Sequence, residues 1–308
     1  MKDLIIVGAG PAGLSAALNA AHLKLDAIVL ESALAGGLLV QNYPWKDVDS
    51  YLGMCGMKGK EVAKQMIAQV PRSISIHENE QVLEIKKSKA GFKVKTIREE
   101  YSTKAVILAI GIMGQPRSLG IEGESLEGVY TIVKNPEKYK GKKVAVIGGG
   151  DTAVEYAITL AEAGAETLLI HRRDILRATG AKTKELHTSN VHMMFNSEVD
   201  KILGTGKVHA IAVRDNKSGK KQELKVDFVF KCIGNTPNRD FLEKTGVKME
   251  KIHPEIKPNF ETNIPGLYVA GDITGRLMKI SEAVAEGNRA LLSAYSFLKS
   301  PYWAENGK

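Results

Sequence analysis

The feature that most constrains this 308-residue chain is a glycine motif that occurs twice in register. The first copy, Gly8-Ala9-Gly10-Pro11-Ala12-Gly13, follows the apolar run Leu4-Ile5-Ile6-Val7 and leads to Leu30-Glu31-Ser32. The second, Gly148-Gly149-Gly150-Asp151-Thr152-Ala153, follows Val144-Ala145-Val146-Ile147 and leads to Ile170-His171-Arg172-Arg173. In each copy a polar residue, Glu31 or His171, stands 23 residues after the first glycine. One G-x-G-x-x-G is a weak signal. Two copies at one spacing, ending in opposite charges, predict two dinucleotide sites on two strand–turn–helix–strand units.

Each position of the motif has a physical task. The first glycine permits a tight turn, the second lets the backbone approach a pyrophosphate, and the third lets the helix pack closely on the strand. The helix N-terminus then faces the phosphates. Ala153 in the third position of the second copy is a substitution that this arrangement allows. Both preceding runs are short, apolar and β-branched, as expected of central parallel strands buried on both faces. Glu31, at the end of a strand over 27–30, can accept hydrogen bonds from ribose hydroxyls and repels a 2′-phosphate, which suits FAD or NAD. Arg172 and Arg173, with Arg177 placed a helical turn further on, match a 2′-phosphate by bidentate hydrogen bonding, so the second site is expected to prefer NADPH over NADH.

The rest of the chain fills in around these units. A helix over 14–23, a loop through Gly36-Gly37 to Trp45, an amphipathic helix over 61–70 and an antiparallel meander within 73–101 precede a buried return strand over 105–111. A linker at 114–117 leads to the second unit, with a helix over 152–163, a strand over 167–170 and a hairpin from 208–213 and 222–226. A second return strand over 227–234 and a second linker at 235–238 follow. A strand ending in Gly271-Asp272 and a helix over 281–298 close the chain.

Composition adds exclusions. A 44% hydrophobic content supports two ordinary cores. The two cysteines, Cys55 and Cys232, stand in no C-x-x-C or metal-ligand spacing, so no disulfide framework or metal site is expected, which fits a reducing cytoplasm. The apolar stretch from Leu4 to Ala21 could pass for a signal peptide, but the glycines and Glu31 account for it better. No apolar run is long enough to predict a membrane span. The formal charge of +8 fits either a lysine-rich solvated surface or an acidic protein partner. Nucleic acid is not expected, since no basic block is interleaved with aromatics.

Together with Gly36-Gly37, Asn42-Tyr43-Pro44 and Tyr268-Val269-Ala270-Gly271-Asp272, these motifs resemble the low-molecular-weight thioredoxin reductase-like flavoproteins over nearly the whole chain. The resemblance implies an α/β fold of two Rossmann-like three-layer dinucleotide-binding domains, with an NADPH domain over 116–241 inserted into a split FAD domain over 1–115 and 242–308. It implies FAD contacts from Gly8, Gly10, Pro11, Ala12 and Gly13, from Glu31 and Ser32 at the adenosine ribose, and from Gly37, Leu38, Asn42, Val82 and Gly111. Gly271 and Asp272 would meet the flavin ribityl chain, and a helix starting near Lys279 and Ile280 would point its positive end at the flavin pyrimidine. NADPH would be held by Gly148, Gly149, Gly150, Asp151, Thr152, Ala153, His171, Arg172, Arg173, Arg177 and Gly234. The resemblance further implies a homodimer and a hinge motion about the two linkers.

The sequence departs from that family's pattern in two places. A C-x-x-C pair is usual shortly before the second glycine motif, where this chain has Tyr130-Thr131-Ile132-Val133-Lys134-Asn135-Pro136-Glu137. Dithiol exchange needs an attacking and a resolving thiol close together, so that route is closed at this place. Leu38 also stands where glutamine is usual. The first expectation is therefore an FAD-dependent NADPH oxidoreductase that passes electrons to an external acceptor, a ferredoxin or flavodoxin, as in ferredoxin-NADP reductases of thioredoxin reductase type. Tyr302 and Trp303 could cover the flavin as the C-terminal ring of those enzymes does. A disulfide reductase acting on a thioredoxin-like partner through Cys55 or through thiols supplied by the partner, and a slow flavoprotein redox sensor, stay open as alternatives. Cys232, inside an apolar strand, reads as an inert core thiol.

Overall fold

The computed structural model describes residues 1–112, 115–236 and 239–300, and Gly114, Pro237, Asn238, Tyr302 and Trp303 lie outside them. The chain divides into two compact units, one formed by 1–114 with 237–308 and the other by 115–236. The second division falls before 242 for a packing reason. The helix Arg239–Lys244 would be cut at 242, and its Leu242 is fully buried in the core of the first unit.

In the first unit six strands run in the order Ser75–His77, Ala27–Leu30, Lys2–Val7, Glu100–Leu108, Gly91–Thr96, Val82–Ser88. The central strand alternates strictly. Leu4 and Ile6 enter the core that includes Ala16 and Ala290, while Ile5 and Val7 enter a second core with Phe92 and Ile273. Layers on both faces explain why the run is apolar throughout rather than on alternate residues. Ser75–His77 pairs in parallel with Ala27–Leu30, so it extends the parallel sheet rather than opening the meander. Glu100–Leu108 is one strand with two roles. Its first half pairs antiparallel with Gly91–Thr96, and from Val106 onward the same edge takes Leu267–Val269 in parallel.

Helices begin earlier than the periodicity predicts. The first spans Pro11–His22, with Pro11 at the first turn, where a missing N–H costs nothing. The amphipathic helix spans Gly59–Gln69 and buries Val62, Ala63 and Met66. It starts early because Glu61 reaches back to accept the Lys58 N–H at 3.1 Å. The expected loop after Gly37 contains one short helix, Leu38–Gln41. The closing helix spans Ile280–Lys299 and lies on the first, where Ser15 donates to the Val284 carbonyl at 2.7 Å. No helix of the described residues is long and apolar enough to cross a membrane.

The second unit has a parallel sheet in the order Val129–Tyr130, Phe228–Cys232, Lys143–Gly148, Glu166–Ile170, His192–Met194. The helix Asp151–Glu162 follows the second glycine motif and buries Ala153, Val154 and Tyr156. The predicted hairpin has a third strand, giving an antiparallel sheet of Ser197–Thr205, Lys207–Asp215 and Lys221–Lys225. This sheet shares a core with the parallel one, through Ile202, Ile211 and Val213 against Ala145 and Val229. The two expected linkers pair with each other, Gln115–Pro116 antiparallel to Asn235–Thr236, so they form a two-stranded clasp rather than free chain.

Candidate functional site

The first glycine of each motif is built the same way in both units. Gly8 has φ of 103°, and a Cβ there would lie 2.3 Å from the Ala109 carbonyl oxygen. Gly148 has φ of 152°, and its Cβ would lie 2.3 Å from the Cys232 carbonyl oxygen. Only glycine fits where the turn passes both in the left-handed region and against the end of the return strand. The helices that follow, capped at Gly10 and Gly150, have no side-chain hydrogen bond at their N-termini. No side-chain cap therefore competes at either N-terminus with a pyrophosphate, which helix N-termini of this kind accept.

Around the first turn the structure brings together several of the residues the sequence singled out. A Cβ on Gly37 would lie 2.9 Å from the Gly10 Cα, and the Gly36 N–H donates to the Ala9 carbonyl at 2.8 Å. Gly271 meets the same turn, its Cβ position falling 2.9 Å from the Ala12 Cβ. Glu31 is buried, with its carboxylate accepting the Ala9 and Ala33 amides at 2.8 Å each and the Ser32 hydroxyl at 3.2 Å. Asn42 is buried, and Asp272 follows Gly271 with its carboxyl raised by burial. Val82 has its side chain in the core. Gly111 and Gly234 each have room for a group within 4 Å among the described residues. Lys279 and Ile280 cap and start the closing helix, which also lacks a side-chain cap.

Around the second turn, Arg177 is carried by an irregular segment rather than a helix. Its N–H donates to the Gly149 carbonyl at 2.7 Å, and the Thr179 N–H donates to the Asp151 carboxylate at 2.9 Å. Arg172, Arg173 and Arg177 are exposed and form no ion pair among the described residues. His171 behaves differently from its arginine neighbours. Its ring is buried, shares a hydrogen bond with the Ile175 carbonyl at 3.1 Å, and lies where a Cβ on Gly149 would come within 2.3 Å of it. Burial lowers its pKa, and the charges of Arg177, Arg172 and Arg173 lower it further, so the ring is a neutral floor under the turn.

Sequence reasoning missed three acids, of which Glu80 and Glu286 are buried and Glu124 is half-buried. Glu286, on the closing helix, accepts the Gly271 N–H at 2.8 Å and the Thr274 hydroxyl. Glu124 is paired with Lys231 and accepts the Leu119 and Gly120 amides at 2.9 and 3.1 Å. Glu80 accepts hydroxyls from Thr96 and Tyr101. Each lies in a polar stretch that resembles solvated loop or helix surface, and no local spacing marks it. The cysteines separate cleanly. Cys232 sits where burial pushes its thiol up to about 12, whereas Cys55 is exposed and donates to the Asp49 carbonyl at 3.3 Å.

The stretch before the second motif, where a C-x-x-C would stand, is occupied by packing. Val133 is fully buried, and Pro136–Tyr139 forms a turn of 3-10 helix. The Tyr139 ring meets Phe228 and Phe230 edge-on, with centroids 5.0 and 5.2 Å apart.

Two βαβ turns of this construction, one ending in a buried acid and one in free arginines, define a two-dinucleotide oxidoreductase. The chain belongs to the pyridine nucleotide-disulphide oxidoreductase family, whose model matches residues 2–287. It is similar to the ferredoxin-NADP reductase of Ignicoccus hospitalis, 34% identical and covering 98% of this chain and 100% of that protein. A 34.2 kDa protein in the rubredoxin operon of Clostridium pasteurianum is 35% identical, with 96% and 97% covered. The crystal structure of thioredoxin reductase from T. acidophilum is 33% identical, with 96% and 98% covered and a TM-score of 0.86. The protein is an NADPH-dependent flavoprotein oxidoreductase that uses FAD and NADPH.

Proposed function

We propose that this enzyme moves electrons from NADPH through FAD to a small external redox protein, a ferredoxin or flavodoxin, without an internal dithiol. In this reading the first unit is the FAD domain and the second the NADPH domain. The observation that carries the reading is the aromatic packing of Tyr139 on Phe228 and Phe230 beside a stretch, 130–137, that has no cysteine. The relatives named as ferredoxin-NADP reductases support the same acceptor class.

The residues present fit both cofactors. Gly8, Gly10 and Gly13 would pass the FAD pyrophosphate to the amides of the first helix, with Pro11 and Ala12 in its first turn and Glu31 turned to the adenosine ribose. Gly37, Leu38, Asn42, Val82 and Gly111 would line the remainder, and Gly271 and Asp272 would face the ribityl chain. Lys279 and Ile280 would place a helix N-terminus where negative charge develops on reduction. In the second unit Gly148, Gly150 and Thr152 would hold the NADPH pyrophosphate, and Arg172, Arg173 and Arg177 the 2′-phosphate. When bound, FAD would supply the hydride and electron-transfer chemistry, while the protein would orient the reactants and tune the field.

The formal charge of +8 favours encounter with an acidic acceptor. A cytoplasmic homodimer completes the reading. The deciding experiment presents ferredoxin, flavodoxin, rubredoxin, thioredoxin and oxygen to the NADPH-reduced enzyme. Fastest turnover with ferredoxin or flavodoxin, unchanged in Cys55→Ser, is expected. Turnover confined to thioredoxin and lost in Cys55→Ser overturns the proposal in favour of a disulfide reductase. Anaerobic flavin bleaching by NADPH that takes many minutes overturns it in favour of a sensor.

A further inference from the structure

Glu31 is held by its main chain as well as by its carboxylate. Its N–H donates to the His77 carbonyl at 2.9 Å, and its carbonyl accepts the Glu80 N–H at 2.7 Å. The two residues that grip it also grip each other, His77 Nδ1 lying 3.1 Å from Glu80 Oε2. Glu80 is only 1% exposed, yet its Oε1 accepts the Thr96 hydroxyl at 2.9 Å and the Tyr101 hydroxyl at 2.8 Å. The same turn reaches the next residues of the site, since the Asn79 N–H donates to the Ala33 carbonyl at 2.9 Å and the Glu78 carboxylate accepts the Ala35 N–H at 2.7 Å.

Burying a carboxylate is costly, and a backbone pairing alone would secure the edge strand Ser75–His77. What the buried acid adds is rigidity. Thr96 and Tyr101 come from two neighbouring strands, so the turn at 77–80 is tied to the sheet at a point the backbone ladder does not reach. Burial alone would raise the Glu80 carboxyl, but hydrogen bonds from Tyr101, Thr96 and His77 outweigh it and keep the group below the usual carboxylate range, hence ionised.

We propose that His77 and Glu80 are positioning residues for Glu31, which set the grip of the enzyme on the ribose hydroxyls of an adenosine dinucleotide. The inference rests on the reading that Glu31 meets the adenosine ribose of FAD. A carboxylate that already accepts three donors has lone-pair directions left for the hydroxyls, but only within a narrow placement. Loosening the turn at 77–80 shifts Glu31 while leaving the glycine cradle for the pyrophosphate in place.

The test measures dissociation constants of the flavin-depleted full-length protein for FAD and for an FAD analogue whose adenosine is 2′,3′-dideoxy. Wild type is expected to prefer FAD by about tenfold, the discrimination that hydrogen bonds to a charged group supply. Glu80→Ala and His77→Ala are expected to bind the analogue as wild type does and to lose most of the preference for FAD. Glu80→Gln, which keeps acceptors for Thr96 and Tyr101, restores part of it. Glu31→Gln is the control. If Glu31→Gln keeps the full preference, the reading of Glu31 is wrong. If Glu31→Gln loses it while Glu80→Ala and His77→Ala keep it, the positioning inference is overturned. An equal loss for FAD and the analogue in those variants also overturns it, because a merely structural role would weaken both. Should Glu80→Ala fail to fold, His77→Ala, which removes a partly exposed ring, decides alone.

Discussion

Replacing Arg172 and Arg173 together with glutamine should convert an NADPH enzyme into one with little preference between the two nucleotides. The loop that carries them is fixed independently of their side chains. The Asn216 amide donates to the Arg172 carbonyl at 3.2 Å, and the Asn196 N–H donates to the Arg173 carbonyl at 3.1 Å. Among the described residues neither guanidinium has an ion-pair partner to leave behind, so the substitution removes charge without orphaning another group there. A hydrogen bond to a charged group contributes about 1.5–3 kcal/mol, and exposure to solvent reduces this to about 1–1.5 kcal/mol per arginine. Two arginines then account for about 2–3 kcal/mol, or about 30- to 150-fold.

The assay is kcat/KM for NADPH and for NADH with ferricyanide as a common acceptor, together with Kd for NADP⁺ and NAD⁺. The NADPH value should fall by the factor above while the NADH value moves by less than about threefold. The preference of the wild type should also weaken as salt rises, since exposed pairs are screened. Equal loss for both nucleotides would refute the reasoning, since it would mean that the arginines hold the loop or the common pyrophosphate rather than the 2′-phosphate.

Two further outcomes follow from packing and from titration. Gly149→Ala would drive a methyl to within 2.3 Å of the buried His171 ring, so nucleotide binding should be lost while the bound flavin spectrum is kept, and His171→Ala in the same chain should restore part of the binding. Titration of the enzyme with NADP⁺ checks both. Glu124 is held down to about 2, since hydrogen bonds from Lys231, Ser118 and the Leu119 and Gly120 amides outweigh its burial. A carboxyl lowered by folding stabilises the protein above the ordinary glutamate range, and that contribution is lost as pH falls toward about 2. Glu124→Gln should therefore melt below wild type at pH 7, by an amount on the order of 2 kcal/mol after allowance for screening, and the gap should close progressively as pH falls from about 5 to about 2. Parallel melting curves across that range would count against it.

What was legible in the sequence is what the backbone itself must do. Gly8 and Gly148 have to be glycine because of where the turn runs, and that demand shows at any distance from the tertiary contacts. The central strands were legible because burial on both faces leaves no polar position. The helix Gly180–Thr188 and strand His192–Met194 were not, because 180–194 is rich in Lys, Thr and His and only Leu186 of the helix is buried. Glu100–Leu108 looks like two pieces in the sequence, since its polar half pairs in the meander and its apolar half in the parallel sheet. At the site, Glu31 and the arginines followed from spacing. Glu80 did not, because His77-Glu78-Asn79-Glu80 looks like a solvated acidic turn until Thr96 and Tyr101 are brought to it by strands that lie elsewhere in the chain.

Among the three fingerprint positions the two motifs differ only at the third, Gly13 against Ala153, and this yields a prediction with opposite outcomes at equivalent positions. A Cβ on Gly13 would lie 1.9 Å from the Gly8 carbonyl oxygen, and backbone on both sides prevents relief, so the helix cannot stay on its strand. In the second unit the helix stands far enough back that Ala153 is accommodated fully buried. Gly13→Ala should therefore abolish flavin retention during purification. Ala153→Gly removes one methyl and adds backbone freedom, a cost of about 1 kcal/mol in a helix, so NADPH binding should persist with a small loss of stability. Absorbance of the bound flavin reads the first, and NADP⁺ titration with thermal unfolding reads the second. Retention of flavin by Gly13→Ala would show that the first helix can move away from its strand. The third position would then owe its residue to something other than the close approach on which the whole reading of these two turns depends.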